Sequence, residues 1–459
     1  MNSINPLIFR EYDIRGLVGS DLDDRTVDLI GRAFGTWLRR GGARRAVVGG
    51  DCRNSSPEFV KLVSDALNRC GVDVIDLGMV TTPLTYFAMH FLDVGAAVMV
   101  TGSHNPKEFN GLKLCAGKSS VFGEQIQQIR RIAESGDFAV GNGSRRTYDI
   151  VPDYIDRIVS DCRVKPDNGL TVVVDAGNGT GGLTAVPLLE RLGCRVIKLY
   201  CDPDGNFPNH HPDPTVVENL ADLQQAVVAN GADVGFGFDG DADRIGVVTE
   251  DGGIVFGDMI LLTLALDLLN ELPGAEIVSE VKASHLLYSE IEKAGGRPVM
   301  YKVGHSLIKA RMAETNVPLG GEISGHMFFK YRWYGFDDAV YAATRYLEIL
   351  VKSGGKASAL LKDVPPTFAT PEMRLDCPDE LKVPVVESLK EHYLSLGHRV
   401  VTIDGARVSF DDGWGLVRPS NTQPVLVLRF EADSASSLDC IRDEMMDRAR
   451  AMVESFSRH

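Results

Sequence analysis

The chain has 459 residues, 44% hydrophobic and 24% charged, the make-up of a globular protein with a large core rather than of a disordered one. Length alone suggests about three or four domains. The formal net charge of −15 repels a polyanion at long range and argues against nucleic-acid binding, so an anionic small molecule would have to be met by a local basic pocket.

The N-terminal MNSINPLIFREYDIRG has no long apolar stretch, so no signal peptide is expected. The longest apolar run, Met259 to Leu266, is too short to span a bilayer. The eight cysteines, at 52, 70, 115, 162, 194, 201, 377 and 440, include no C-x-x-C pair, which suits reduced thiols in a cytoplasmic protein.

Along the chain one order of elements comes three times. A strand ending in an acid, RAVVGGD, is followed by the helical PEFVKLVSDALNRCG, the strand VDVIDLG, and then GAAVMVTGSHNP. The order returns as LTVVVDAG, CRVIKLYCD and ADVGFGFDGDADR, with the helical GLTAVPLLERLG between the first two. It returns again as AEIVSEV, RPVMYKVG and NVPLGGEISGH. Strands alternating with helices that end at Gly predict parallel, doubly wound α/β domains. From about Pro366 the pattern changes to VVTIDGARVSF, DDGWGLVRPSNTQ, PVLVLRFEA and a terminal helix, which predicts a smaller α+β domain. Boundaries are expected near residues 145–152, 250–253 and 365–371, giving domains 1–148, 149–252, 253–366 and 367–459.

Each third strand of the repeat runs into a polar loop, and open α/β sheets bind ligands beyond the carboxyl ends of their strands. The first loop is Thr101-Gly102-Ser103-His104-Asn105-Pro106. Its proline stiffens the backbone, and Ser103 is a candidate nucleophile, although the loop is no G-x-S-x-G elbow. By itself it reads first as a Ser/Asn/Pro turn.

Gly177-Asn178-Gly179-Thr180-Gly181-Gly182, with Asp202 twenty residues on, fits the dinucleotide fingerprint on paper. Tight strand-to-helix turns use the same glycines, so the match is weak.

In the second repeat's loop, Asp239, Asp241 and Asp243 alternate. Three carboxylates so spaced converge only around something cationic, and oxygen-only ligands favour Mg²⁺ or Ca²⁺. Together with Glu250 they match an EF-hand calcium loop, but Arg244 stands where that loop needs Gly. The flanks VGFGF and IGVV are strand-like rather than helical.

In the third loop, Gly320 to His326, the residues Glu322, Ser324 and His326 alternate and fall on one side of an extended segment. A carboxylate beside a hydroxyl suits vicinal sugar hydroxyls. The fourth loop, Arg418-Pro419-Ser420-Asn421-Thr422, has the guanidinium, hydroxyls and amide of a phosphate cradle. No Walker lysine motif is present, which argues against P-loop ATPase chemistry.

Taken in order, TGSHNP, DGDADR, GEISGH and RPSNTQP, with FREYDIRG near the start and NGLKL at 110–114, resemble the α-D-phosphohexomutase superfamily, in its bacterial phosphomannomutase/phosphoglucomutase branch. The resemblance spans nearly the whole chain. It implies four domains around a central cleft, three repeated doubly wound α/β domains and a C-terminal α+β domain, each giving one loop. It implies an isomerase that moves a phosphoryl group between O1 and O6 of glucose and mannose phosphates. The route is a phosphoserine on Ser103 and a hexose 1,6-bisphosphate intermediate that also serves as activator. By resemblance, Asp239, Asp241 and Asp243 with a Ser103 phosphate oxygen hold Mg²⁺, while Arg15, Lys113 and Arg244 surround the transferring phosphate. His326 and Lys113 are its proton-transfer candidates. Tyr12, His104, Lys282, Gly304, His305, Glu322 and Ser324 line the sugar cleft, and Arg418, Ser420, Asn421 and Thr422 clamp the unreacting phosphate. Partners are expected to be hexose phosphates only, with no nucleic acid or membrane, on a monomer or weak dimer. The rival within the superfamily is phosphoglucosamine mutase. Its members typically carry Gly where this chain has Asn421 and Gln where it has Ile323.

Overall fold

The structure, a computed structural model, describes residues 4–165, 167–420 and 423–457. The threefold repetition in the sequence becomes one sheet order used three times. In the first unit Arg45–Gly50 lies between Asp73–Met79 and Ala96–Val100, parallel to both, and Phe109–Ala116 returns antiparallel beside Ala96–Val100. In the second, Thr171–Asp175 lies between Arg195–Leu199 and Val234–Phe238, and Ile245–Thr249 returns antiparallel. In the third, Glu276–Glu280 lies between Arg297–Tyr301 and Leu319–Gly321, and Met327–Phe329 returns antiparallel.

The antiparallel fourth strand adds to the parallel sheets read from the sequence. Its cause is chain length. The three connections before these fourth strands are short polar loops, whereas a parallel crossover needs a dozen residues or more. These are the loops that carry Ser103, the three aspartates, and Glu322 with His326. The same sheet position therefore presents chemistry in each unit.

Val425–Ala432, Gly413–Pro419, Ala406–Phe410 and Arg399–Val401 form an antiparallel run in the fourth unit. Helices Asp379–Ser395 and Ala435–Ser457 pack on that sheet. One apolar cluster runs continuously through the first three units, from Val47 and Phe87 through Phe236 to Leu350. The fourth unit has its own, built on Leu389, Leu428, Phe430 and Met445. No helix among the described residues is long and apolar enough to cross a membrane.

Candidate active site

The serine loop leaves the buried strand Ala96–Val100 and turns at Ser103, whose φ of 48° is left-handed. Two groups hold it there. The Thr101 hydroxyl accepts the Ser103 N–H at 2.8 Å. Beneath the loop, Arg53 donates to the carbonyls of Ser103, Asn105, Pro106 and Phe109 at 2.7, 2.5, 2.6 and 2.8 Å. Asp51 orients Arg53 and accepts from Thr101 Oγ1 at 2.8 Å and from the Gly102 N–H at 3.1 Å. Residue 102 has to be glycine, because a Cβ there would stand 2.4 Å from the Arg53 guanidinium carbon.

The aspartate loop closes the hairpin of Val234–Phe238 and Ile245–Thr249. Asp239 Oδ1 accepts the N–H groups of Asp243 and Arg244 at 3.0 and 3.1 Å and so folds the loop on itself. Gly240 lets it approach the serine loop: a Cβ there would lie 2.6 Å from the Ser103 carbonyl oxygen. The Ser103 hydroxyl then donates to Asp239 Oδ2 at 2.9 Å and lies 3.1 Å from His104 Nδ1.

Asp239, Asp241 and Asp243 are fully buried, and one oxygen from each lies within 4.8 Å of the others. Lys113 donates to Asp241 at 2.9 Å and also to Asp243, and Thr82 donates to Asp241 at 2.5 Å. Three buried carboxylates against the Lys113 ammonium and the Arg244 guanidinium still leave negative charge uncompensated. Burial and the two neighbouring acids push the Asp239 carboxyl well above its ordinary range. Burial also opposes ionisation of Asp241, but Lys113 and Thr82 outweigh it and hold that carboxyl down. Asp241 Oδ1 and Asp243 Oδ1 are buried with no hydrogen-bond partner among the described residues. Buried anionic oxygens left without donors are a donor set for a hard divalent cation.

The third loop joins this arrangement directly. The Ile245 N–H donates to the Gly325 carbonyl at 3.1 Å, and Arg244 Nε donates to His326 Nε2 at 3.0 Å. Nε2 is thus the unprotonated ring nitrogen. His326 Nδ1 lies 3.0 Å from Asp337 Oδ2 and 3.6 Å from Asp243 Oδ1, with the His305 ring stacked at 5.2 Å. Glu322 accepts the Gly304 N–H at 2.8 Å, and Ser324 beside it is partly exposed. Tyr12 donates to the Val303 carbonyl at 2.9 Å, its ring lying where Gly304 has no Cβ. Arg15 lies at the rim, donating to Asn105 Oδ1 at 2.9 Å and pairing with Asp13. Burial first, then Arg244 and Arg15, keep His104 neutral.

From the fourth unit, Arg418 Nε donates to Asp404 Oδ2 at 3.1 Å, and that oxygen also accepts the Val303 N–H at 3.1 Å. Arg418 Nη2 is buried and has no hydrogen-bond partner among the described residues. Ser420 lies beside it and is buried, whereas Asn421 and Thr422 lie outside the described residues. Lys282 stands 3.6 Å from Glu280 and 3.4 Å from Glu372. Sequence reasoning missed Asp51, Arg53, Thr82, Asp337, Asp404 and Lys382. Lys382 braces the last loop by donating to the carbonyls of Ser420 and Gln423 at 2.6 and 3.0 Å. Residues 177–182, the weak dinucleotide match, are filled by protein: the Thr180 N–H donates to the Gly240 carbonyl at 3.0 Å, and a Cβ on Gly182 would lie 2.2 Å from the Cys201 carbonyl. The glycines serve to bring the aspartate loop close.

Three repeated α/β units and an antiparallel fourth, with one polar loop each around a buried acid triad, define a phosphoryl-transfer architecture. Four family models match in order. Three are described as phosphoglucomutase/phosphomannomutase, alpha/beta/alpha domains I, II and III, over residues 6–140, 152–253 and 256–368; the fourth is the C-terminal domain, over 372–448. The chain belongs to the phosphoglucomutase/phosphomannomutase family. It is 46% identical over 449 residues to a phosphomannomutase/phosphoglucomutase of Pseudomonas aeruginosa, covering 98% of this chain and 96% of the relative. It is 44% identical to a phosphoglucomutase of Neisseria gonorrhoeae, covering 99% and 98%. A solved phosphoglucomutase/phosphomannomutase family protein of Burkholderia thailandensis is similar at a TM-score of 0.92 and 45% identity, covering 98% of each chain.

Proposed function

We propose that this enzyme interconverts the 1- and 6-phosphates of glucose and mannose, with Ser103 as phosphate carrier. The observation that carries the reading is the Ser103 hydroxyl 2.9 Å from Asp239, at the edge of three buried carboxylates with two oxygens left without donors. Asp239, Asp241 and Asp243 would hold Mg²⁺, which supplies positive charge beside the phosphoserine and so lets a second phosphate approach.

The chain's own residues do the rest. In the first transfer the bond from Ser103 Oγ to phosphorus breaks and one from the sugar hydroxyl oxygen to phosphorus forms. The hydroxyl proton passes to His326 Nε2, whose lone pair is freed when Arg244 leaves it for the phosphate, and the leaving Ser103 Oγ takes up a proton from solvent that it gives back when it is rephosphorylated. Lys113, committed to Asp241 and Asp243 as an ammonium, offsets charge rather than moving protons. The hexose 1,6-bisphosphate turns over and returns its other phosphoryl group to Ser103. Glu322 and Ser324 grip O3 and O4, which glucose and mannose share. Arg418 and the loop after it hold whichever phosphate is not reacting. The expected setting is cytoplasmic, with small hexose phosphates as the partners.

Intact mass and turnover test this together. Wild-type enzyme exposed to glucose 1,6-bisphosphate should carry a phosphate on the Ser103 peptide and turn over glucose 1-phosphate and mannose 1-phosphate at comparable kcat/KM. EDTA should abolish turnover. Ser103→Ala should lose the adduct and nearly all activity while staying folded, and an active, adduct-free wild type would sink the reading.

A further inference from the structure

Behind the site, the first and third units leave a cavity of about 80 Å³. It lies between helix Thr82–Phe91, the turn joining Phe109–Ala116 to Ser119–Ser120, helix His305–Thr315 and residues 330–336. That is room for a handful of waters, or for one ion of phosphate size, since a water needs roughly 10–15 Å³ on the same measure.

The lining is cationic in a chain of net charge −15. Lys118, Lys309 and Lys330 are among the residues that line the cavity, and no carboxylate lines it. Lys309 reaches inward to Asp337 Oδ1 at 2.8 Å over the Tyr86 ring, and Lys118 reaches outward to Asp93 at 3.1 Å. Lys330 has no acidic partner among the described residues. The Ser306 hydroxyl also lines the cavity, 1% exposed and without a hydrogen-bond partner among the described residues. A buried hydroxyl left in that state costs stability, and an oxyanion would relieve it while answering two ammonium groups.

We propose that this cavity is a second anion site, separate from the one that holds substrate, in which Lys309, Lys330 and Ser306 bind an oxyanion of phosphate size. Its occupancy reaches the reaction centre through one carboxylate. An anion on Lys309 competes with Asp337 Oδ1, and the other oxygen of Asp337 lies 3.0 Å from His326 Nδ1. Binding in the cavity and chemistry at His326 are therefore coupled in both directions.

Equilibrium dialysis with radiolabelled orthophosphate tests the site without relying on mutase activity. Wild-type protein should show a saturable class of one phosphate per chain that hexose 1,6-bisphosphate does not displace. Lys330→Met and Ser306→Ala should each weaken that class at least tenfold, with circular dichroism unchanged. Bisphosphate-displaceable phosphate should stay as in wild type in both. Complete displacement by the bisphosphate, or a Lys330→Met protein that binds like wild type, would overturn the site. If no phosphate were displaced at all while Lys330→Met still lost its class, the substrate assignment would fail and the cavity would stand.

Discussion

Arg53 shows how much of a site can hang on one side chain that never faces it. Its side chain is fully buried, and its donors are spent on Asp51 and four loop carbonyls. A left-handed φ at a residue with a Cβ costs about 1–3 kcal/mol, and it persists only where the surroundings hold it. Lys keeps the charge but loses the fork. Arg53→Lys should therefore lower kcat by about a hundredfold, as a misplaced reacting group does, and leave the KM for glucose 1-phosphate nearly unchanged. Steady-state kinetics decide it, and a variant with wild-type kcat would show that the loop holds its own shape. Glu280 gives a pH-dependent counterpart. It is buried, accepts the Ile323 N–H at 3.1 Å, and burial, less the help of Lys282, raises its pKa from 4.5 to about 7. Below pH 4.5 the carboxyl is neutral in both states. Between 4.5 and 7 the unfolded chain ionises first, so stability falls as pH rises. Glu280→Gln should then gain Tm relative to wild type at pH 8 and lose that gain at pH 4. A difference that does not change with pH would contradict the shift.

At the scale of elements, the acids, glycines and serine that build the loops stand together in the sequence, so the loops were legible in one reading. The partners that shape them were not. Arg53 meets the serine loop fifty residues on, and Asp337 meets His326 from the next loop, with no local pattern to mark either. The return of each fourth strand was legible in principle, because the loop lengths forbid a crossover, but the alternation of strands and helices masked it. Asp338 shows an element whose start is fixed from another unit. It caps helix Ala339–Ser353 by accepting the Tyr341 N–H at 3.0 Å and also accepts the Tyr154 hydroxyl at 2.8 Å. Asp338→Ala should lose the cap, about 1 kcal/mol, and strand a buried tyrosine hydroxyl, about 1–3 kcal/mol more. Calorimetry should show a Tm lower by several degrees, and Tyr154→Phe added to that variant should recover part of it. Additive losses would mean that the two groups do not act together.

The whole molecule divides where its apolar cores divide. The first three units share one core, so their loops are fixed relative to one another, while the fourth keeps a core of its own and meets the third through a small apolar cluster of Val281, Trp414 and Leu416 and a set of polar ties. Arg407 is central among these. It is buried, stacks on Trp414 with its guanidinium carbon 3.6 Å from the ring centroid, and donates to the carbonyls of Val281 and Ala283 at 2.5 and 2.8 Å. Ser284 and His285, which pair with Glu431, form a second tie nearby. Arg407 lies on the strand paired with Gly413–Pro419, which carries Arg418, so the same contact aims the phosphate grip. Removing it should leave the fourth unit folded on its own core and attached through Glu431, but aimed less well. Grip on the unreacting phosphate is needed before and during transfer alike, and a loss of such uniform binding appears in KM. Arg407→Met should therefore raise KM for glucose 1-phosphate and glucose 6-phosphate together, by about tenfold for about 1.4 kcal/mol of lost alignment, with kcat and the far-ultraviolet spectrum close to wild type. A fall in kcat at unchanged KM would place Arg407 in the chemistry rather than in the orientation of the fourth unit, and a KM effect on one isomer alone would show that the grip does not serve both phosphates in turn.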